Sequence, residues 1–312
     1  MTRAFCFPGQ GSQTVGMGKA LAAAMPTARH VFEEVDDALD QHLTRLMFEG
    51  PAEDLALTEN AQPALMAVSL AVVRTLEDGG MDMAGASAFV AGHSLGEYTA
   101  LTAAGSLTVA DAARLLKLRG QAMQRAVPPG EGAMAALLGL DLEVAEQVAA
   151  EAAGDQVCAL ANDNGGGQVV VSGNAAAVER AMVLAKEKGA KRAIRLPVSA
   201  SFHCALMQPA ADEMEQALRS AALKAPAMAV ITNVTAQPVD DPVEIARLLV
   251  EQVTHRVRWR EIVLCLRELG VDSLVEIGAG KVLTGLARRI DRDMAARAIG
   301  SPEDIEDFFK EL

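Results

Sequence analysis

The sequence predicts an α/β protein: a large domain built on a mostly parallel sheet, interrupted by a small inserted domain. Three observations carry this. A short apolar strand, Ala88-Phe89-Val90-Ala91, runs into the glycine-flanked turn Gly92-His93-Ser94-Leu95-Gly96 and then an alanine-rich helix. Between residues 128 and 198 the pattern becomes strand, helix, strand, strand, helix, strand. The 312 residues suit about two domains, and 51% hydrophobic against 22% charged residues is a globular balance.

Along the chain, Ala4–Phe7 reads as a strand broken by Pro8-Gly9-Gln10-Gly11-Ser12-Gln13, a loop because two glycines and a proline cannot continue a strand. His30–Leu39 and Asp111–Met123 show helical spacing, and Ala64–Leu76 is apolar on most faces, as a buried helix is. Pro128-Pro129-Gly130-Glu131-Gly132 marks a break. Beyond it come Ala133–Leu140 (strand), Leu142–Ala153 (helix), Val157–Asn162 and Gln168–Ser172 (strands), Ala175–Lys188 (helix) and Lys191–Pro197 (strand). That order is the ferredoxin-like pattern, with Asp163–Gly167 as a hairpin connection. The expected domains are therefore 1–127 with 199–312 (large) and 128–198 (inserted). In the returning segment, Val230–Asn233 and Ser273–Ile277 are strand candidates and Val282–Ile290 is a helix.

Composition excludes several functions. Aromatic residues are only 3%, with one Trp259 and one Tyr98, which disfavours stacking on nucleic-acid bases. A net charge of −13 opposes binding to nucleic acid or to an anionic membrane. Cys6, Cys158, Cys204 and Cys265 are scattered without a CxxC pair, so no metal site is expected and the thiols read as reduced and cytoplasmic. No signal peptide and no membrane span of about 18 apolar residues is expected.

The strongest chemical signal is Gly92-His93-Ser94-Leu95-Gly96, a GxSxG on a strand-to-helix turn. This nucleophile elbow gives the large domain its α/β-hydrolase-like expectation. Ser94 is the candidate nucleophile, and the N–H of Leu95 at the helix start suits a developing oxyanion. A serine needs a base, and five histidines are available: His30, His42, His93, His203 and His255. His30 and His42 lie in polar helical surroundings. His93 is too close in sequence and fits better as a packing residue of the elbow. His203, in a loop of small residues after the last strand of the inserted domain, is the best candidate, with His255 as the alternative. The Pro8–Gln13 loop lacks the lysine of a phosphate loop and better suits presenting N–H groups to an oxyanion. Arg119 has apolar or small neighbours on its helix, so it is expected to turn inward and grip a carboxylate or phosphate.

At this point the sequence closely resembles the malonyl-CoA:acyl carrier protein transacylases of fatty acid synthesis, which share a fold with the acyltransferase domains of polyketide synthases. The matching segments are Phe7–Gln13, Gly50-Pro51-Ala52-Glu53, Gln62-Pro63-Ala64, Gly92–Tyr98, Arg119-Gly120 with Met123, Gly132-Ala133-Met134, His203–Met207 and Gly280-Lys281-Val282-Leu283. They run in order through nearly the whole chain.

The resemblance implies Ser94 as nucleophile, His203 as base and the N–H groups of Gln10 and Leu95 as oxyanion hole. It implies that the backbone carbonyl of Gln252 orients His203 and that Arg119 binds the malonyl carboxylate. Met123, Asn162 and Phe202 are expected to line the substrate site. His255-Arg256 stands where the family usually has Asn-Pro, and Phe202 stands where a small residue is common. A Phe-His pair resembles malonyl-selective polyketide acyltransferases. The implied substrates are malonyl-CoA and holo-acyl carrier protein, with no cofactor, and a monomer is expected. The competing functions are a discrete acyltransferase of a polyketide assembly line, a serine hydrolase or thioesterase, and a non-catalytic carrier-protein or CoA-binding module.

Overall fold

The computed structural model describes residues 2–198 and 200–311. Its strands are β1 (Arg3–Phe7), β2 (Phe89–Gly92), β3 (Gly132–Leu138), β4 (Cys158–Asp163), β5 (Gln168–Asn174), β6 (Arg192–Arg195), β7 (Ala229–Ile231), β8 (Pro238–Val239), β9 (Ser273–Ile277) and β10 (Ala295–Ile299). Six of them form one sheet in the order β10-β9-β1-β2-β7-β8, parallel except for the short edge strand β8.

Alternation along β1 supplies both faces of that sheet. Phe5 and Phe7 enter one core with Val90 and the helices Thr58–Asp78, Leu95–Ala103 and Val109–Ala126. Ala4 and Cys6 point the other way, to Trp259, Ile262, Leu266, Leu283 and Leu286. A parallel sheet with crossover helices needs both faces covered, and the side-chain period of two delivers this. The sequence expectation of a mostly parallel sheet holds.

The other four strands form an antiparallel sheet in the order β4-β5-β3-β6. Helices Leu142–Ala153 and Ala175–Glu187 pack on it through Val148, Ala152, Val178 and Ala181. Element order and pairing together are the ferredoxin-like pattern. We propose residues 128–198 as the limits of this unit; Ser199, where the expected large domain resumes, lies outside the described residues. The connection after β4 passes through Gly165, Gly166 and Gly167, all at positive φ.

Two seams join the small sheet to residues 257–260, at the start of the helix Trp259–Glu268. The N–H of Asp163 donates to the Val257 carbonyl (2.9 Å) and the N–H of Val257 to the Ala161 carbonyl (2.8 Å). A register shift in β4 between Leu160 and Asn162 accompanies this bridge. Beside it, the buried carboxylate of Asp163 pairs with Arg260 at 2.8 Å.

Candidate active site

The parallel register sets Phe7 opposite Gly92, so the loop after β1 and the turn after β2 open side by side at the carboxyl ends of the strands. That is where open α/β sheets hold their ligands. Gly92 and Gly96 make the turn after β2 possible. A Cβ on Gly92 would lie 1.9 Å from the Gly96 carbonyl, and one on Gly96 would lie 2.3 Å from the Phe7 oxygen. Ser94 between them sits at φ 55°, ψ −110°, a conformation that costs a non-glycine residue on the order of 1–3 kcal/mol. The strain is held by its neighbours: the N–H of Ser94 donates to Asn233 Oδ1 (2.7 Å), and Asn233 Nδ2 donates to the Gly92 carbonyl (2.6 Å).

Ser94 Oγ lies 2.8 Å from His203 Nε2, and His203 Nδ1 lies 2.8 Å from the Gln252 carbonyl oxygen. A carbonyl can only accept, so Nδ1 carries the ring proton. Nε2 is then the free acceptor and Ser94 Oγ–H the donor. His203 is buried, and burial together with the Arg119 charge holds its imidazole down to about 3, while the bond to Gln252 opposes the shift. The ring is therefore neutral at physiological pH, as a proton acceptor must be.

Arg119 is 1% exposed and reaches this same hydroxyl. Its Nη2 donates to Ser94 Oγ (3.1 Å) and to Gln252 Oε1 (2.8 Å), and its Nη1 donates to Gln62 Oε1 (2.7 Å). Gly120 allows the approach, since a Cβ there would lie 2.4 Å from Glu59 Cα on the facing helix. Among the described residues no carboxylate forms an ion pair with Arg119, and its Nε is buried without a partner. An uncompensated buried cation is costly. The site thus holds a guanidinium with capacity for an anion next to a hydroxyl with its base.

The remaining expected residues gather here as well. Gln10, Leu95, Met123, Asn162, Phe202, Arg119, Ser94 and His203 line one cleft of about 260 Å³, with Met134, Leu196, Pro197 and Val198 contributed by or following the small sheet. Thr58 Oγ1 donates to Gln10 Oε1 (2.9 Å) and fixes the loop after β1. Leu95 opens its helix, where N–H groups have no intrahelical acceptor. Gln252 meets the site from behind and does not line the cleft. His255 is exposed, with Nδ1 on the Glu251 carbonyl (2.8 Å), and stands outside the cleft. His93 packs against Trp259 at 5.7 Å between ring centroids and bonds Asn164 Oδ1 (3.0 Å), consistent with a place inside the elbow.

Sequence reasoning gave no role to Glu97, to Asn233 or to the side chain of Gln252, all of which the structure draws in. The side chain of Gln252 is as engaged as its carbonyl: Nε2 donates to Glu97 Oε2 (2.8 Å) and to the Ser94 carbonyl (3.1 Å). Glu97 also accepts from the Asn233 N–H (3.0 Å). It is 1% exposed, and burial pushes its carboxyl up to about 7 against the opposing pull of Gln252, Asn233 and Arg119. Glu97 lies within the Gly92–Tyr98 motif, and an acid three residues beyond the nucleophile on an otherwise uncharged helix is the available signal.

A sheet of this topology with a serine, a histidine and an arginine at its carboxyl edge defines an acyl-transferring enzyme. The family model described as "Acyl transferase domain" matches residues 4–300, and the chain belongs to that family. Its relatives include the malonyl CoA-acyl carrier protein transacylase of Bacillus subtilis strain 168, 46% identical over 304 residues, covering 97% of this chain and 95% of that protein. The crystal structure of an acyl-carrier-protein-S-malonyltransferase from Bartonella henselae superposes with a TM-score of 0.98 at 56% identity, covering 100% of this chain and 99% of that one. A malonyl-transacylase solved in complex with its type II PKS acyl-carrier protein superposes with a TM-score of 0.97 at 42% identity, covering 100% of both chains.

Proposed function

We propose that the chain transfers the malonyl group of malonyl-CoA to the phosphopantetheine thiol of acyl carrier protein, supplying extender units for fatty acid synthesis. Arg119 carries this reading: a buried guanidinium with no ion-pair partner, 3.1 Å from Ser94 Oγ, suits an acyl group that brings its own carboxylate. Acetyl would leave that cation unpaired, so the site selects by what it leaves unsatisfied.

In the proposed reaction Ser94 Oγ attacks the thioester carbonyl while its proton passes to His203 Nε2. The N–H groups of Gln10 and Leu95 hold the tetrahedral oxyanion, an interaction worth about 3–4 kcal/mol per donor. Collapse breaks the C–S bond, and His203 returns its proton to the departing thiolate as coenzyme A. The malonyl-serine ester remains. The carrier's thiol then enters and gives its proton to His203 as its sulfur attacks the ester carbonyl. Collapse breaks the C–O bond to Ser94, His203 returns the proton to Ser94 Oγ, and the acyl group leaves as the carrier thioester, which yields ping-pong kinetics. Every proton and electron pair is accounted for by these residues, so the reading calls for no cofactor or metal. Asn162, Met123 and Phe202 would shape the acyl pocket, Phe202 narrowing it toward malonyl. We place the enzyme in the cytoplasm, in keeping with its four free cysteines. No helix among the described residues is long and apolar enough to cross a membrane.

Intact-mass measurement after mixing with malonyl-CoA tests the reading. A stable malonyl adduct, discharged on adding holo-carrier, is expected. Continuous release of coenzyme A without carrier would instead identify a hydrolase, and absence of any adduct would leave only a binding module.

The carrier must dock on a protein of charge −13, and acyl carrier proteins are acidic, so a local basic patch is required. Two basic clusters could supply it, Lys186, Lys188, Lys191 and Arg192 beside the small sheet and Arg256, Arg258, Arg288 and Arg289 beyond it; of these Lys188, Arg256 and Arg258 are already paired with Glu151, Glu146 and Glu261. Lys186, Lys191, Arg192, Arg288 and Arg289 are exposed. Lys191 packs over Gly139 and Arg289 over Gly166, on either side of the glycine connection after β4, so these cations span the seam between the sheets. Reversing charge at Lys191 and Arg289 together is expected to raise the carrier KM about tenfold or more and to flatten its salt dependence. An unchanged carrier KM would place docking elsewhere.

A further inference from the structure

We propose that Glu97 is a positioning residue that sets both the base and the anion-binding arginine, acting through the side chain of Gln252. This rests on the transacylase reading above. Gln252 is the branching point of the site. Its backbone carbonyl orients His203 through Nδ1, and its Oε1 holds Arg119 Nη2. One residue therefore aims the group that takes the serine proton and the group that meets the substrate carboxylate. What fixes Gln252 in turn is its amide nitrogen, anchored on Glu97 Oε2 at 2.8 Å.

The direction of the amide follows from the neighbours. Arg119 offers only donors, so the Gln252 oxygen must face it. Glu97 offers an acceptor, so the nitrogen must face the acid. The result is a guanidinium and a carboxyl group joined through an oriented amide: guanidinium, then C=O, then N–H, then carboxyl oxygen. Both groups are buried, and they are not in direct contact in the hydrogen-bond network. A direct Glu97–Arg119 pair would neutralise the guanidinium and occupy its donors. With the amide interposed, the cation is stabilised yet keeps donor capacity for a ligand. Glu97 Oε2 also accepts from the Asn233 N–H, while Asn233 Oδ1 and Nδ2 brace the Ser94 N–H and the Gly92 carbonyl. The acid thus sits beneath the elbow, the base and the arginine at once, touching none of the reacting atoms.

The test compares Glu97→Ala with Glu97→Gln, reading the single-turnover rate of enzyme acylation by malonyl-CoA and by acetyl-CoA. Glu97→Ala is expected to slow malonyl transfer about 100-fold, the scale of a small misplacement of catalytic groups. Acetyl transfer is expected to slow less, so that the malonyl-to-acetyl ratio falls. Glu97→Gln retains an acceptor oxygen for Gln252 and Asn233 and is expected to recover both the rate and the ratio. A role in folding alone predicts fewer active molecules with an unchanged ratio. An unchanged ratio in Glu97→Ala, or a loss that Glu97→Gln does not repair, overturns the proposal. If Glu97→Ala does not fold, Glu97→Asp replaces it, with a fallen ratio expected and an unchanged one decisive against. Malonyl labelling of the wild-type protein is measured alongside. Its absence would refute the transacylase reading itself, whereas normal labelling with an unaltered variant ratio refutes only the role of Glu97.

Discussion

Ser94→Ala is expected to end formation of the malonyl-enzyme, lowering turnover on the order of a million-fold, the scale seen when a covalent nucleophile is removed. The fold should survive, because the hydroxyl contributes bonds to His203 and Arg119 but no backbone support. The turn itself is braced by Asn233 and by the two glycines. Alanine also accepts the positive φ about as poorly as serine does, so the strain is little changed. The measurement is intact mass with malonyl-CoA: the adduct seen in wild type should vanish while binding of coenzyme A persists. An adduct of undiminished yield would move the nucleophile away from Ser94.

Arg119→Ala is expected to reverse substrate preference. Losing a charge-assisted pair with the malonyl carboxylate should lower acylation by malonyl-CoA about 100-fold, with acetyl-CoA affected far less. Equal selectivity in the variant would remove Arg119 from substrate recognition. The same substitution carries a second, independent signature in pH. His203 is held at about 3 rather than its ordinary 6.5, by burial first and by the Arg119 charge second. The base works unprotonated, so in wild type its acid limb lies far below neutrality. Removing the cation makes protonation easier and moves the limb upward, while burial keeps it below 6.5. The kcat/KM of acetyl-CoA against pH reports this in the free enzyme without a substrate carboxylate to confuse it. Superimposable profiles for wild type and variant would mean that the Arg119 charge does not act on His203.

Local patterns were readable in proportion to how far they depend on local chemistry. Leu142–Ala153, Ser273–Ile277 and Val282–Ile290 have the bounds that their hydrophobic spacing predicts. The glycines of the elbow announced a turn because no other residue fits against Gly96 and Phe7. By contrast β10, Ala295–Ile299, was not legible: Ala-Ala-Arg-Ala-Ile has little β-branched character and is a strand because β9 pairs with it. The amphipathic helices Gln208–Ser220, Pro242–Thr254 and Trp259–Glu268 also went unassigned. In the site, the resemblance pointed to Ser94, His203, Arg119 and the carbonyl of Gln252. It was silent on the second task of the Gln252 side chain and on Glu97 and Asn233. Those links join residues 155, 136 and 139 positions apart, and nothing in a linear pattern encodes such a meeting.

The cleft is walled from two sides, and the sides do different jobs. Reactive groups come from the carboxyl edge of the parallel sheet and the helix Val109–Ala126 beside it, where Ser94, Arg119 and Gln10 are held by short hydrogen-bond networks. Met134, Asn162, Leu196 and Val198, on or beside the antiparallel sheet, line the same cleft and present three apolar side chains and one amide to it. Discrimination is therefore divided: Arg119 tests for a carboxylate beside the reactive groups, and the other wall shapes the space left for the acyl chain. The shape of the acyl group can change along that wall alone, whereas the demand for a carboxylate cannot change without touching the network that aims His203.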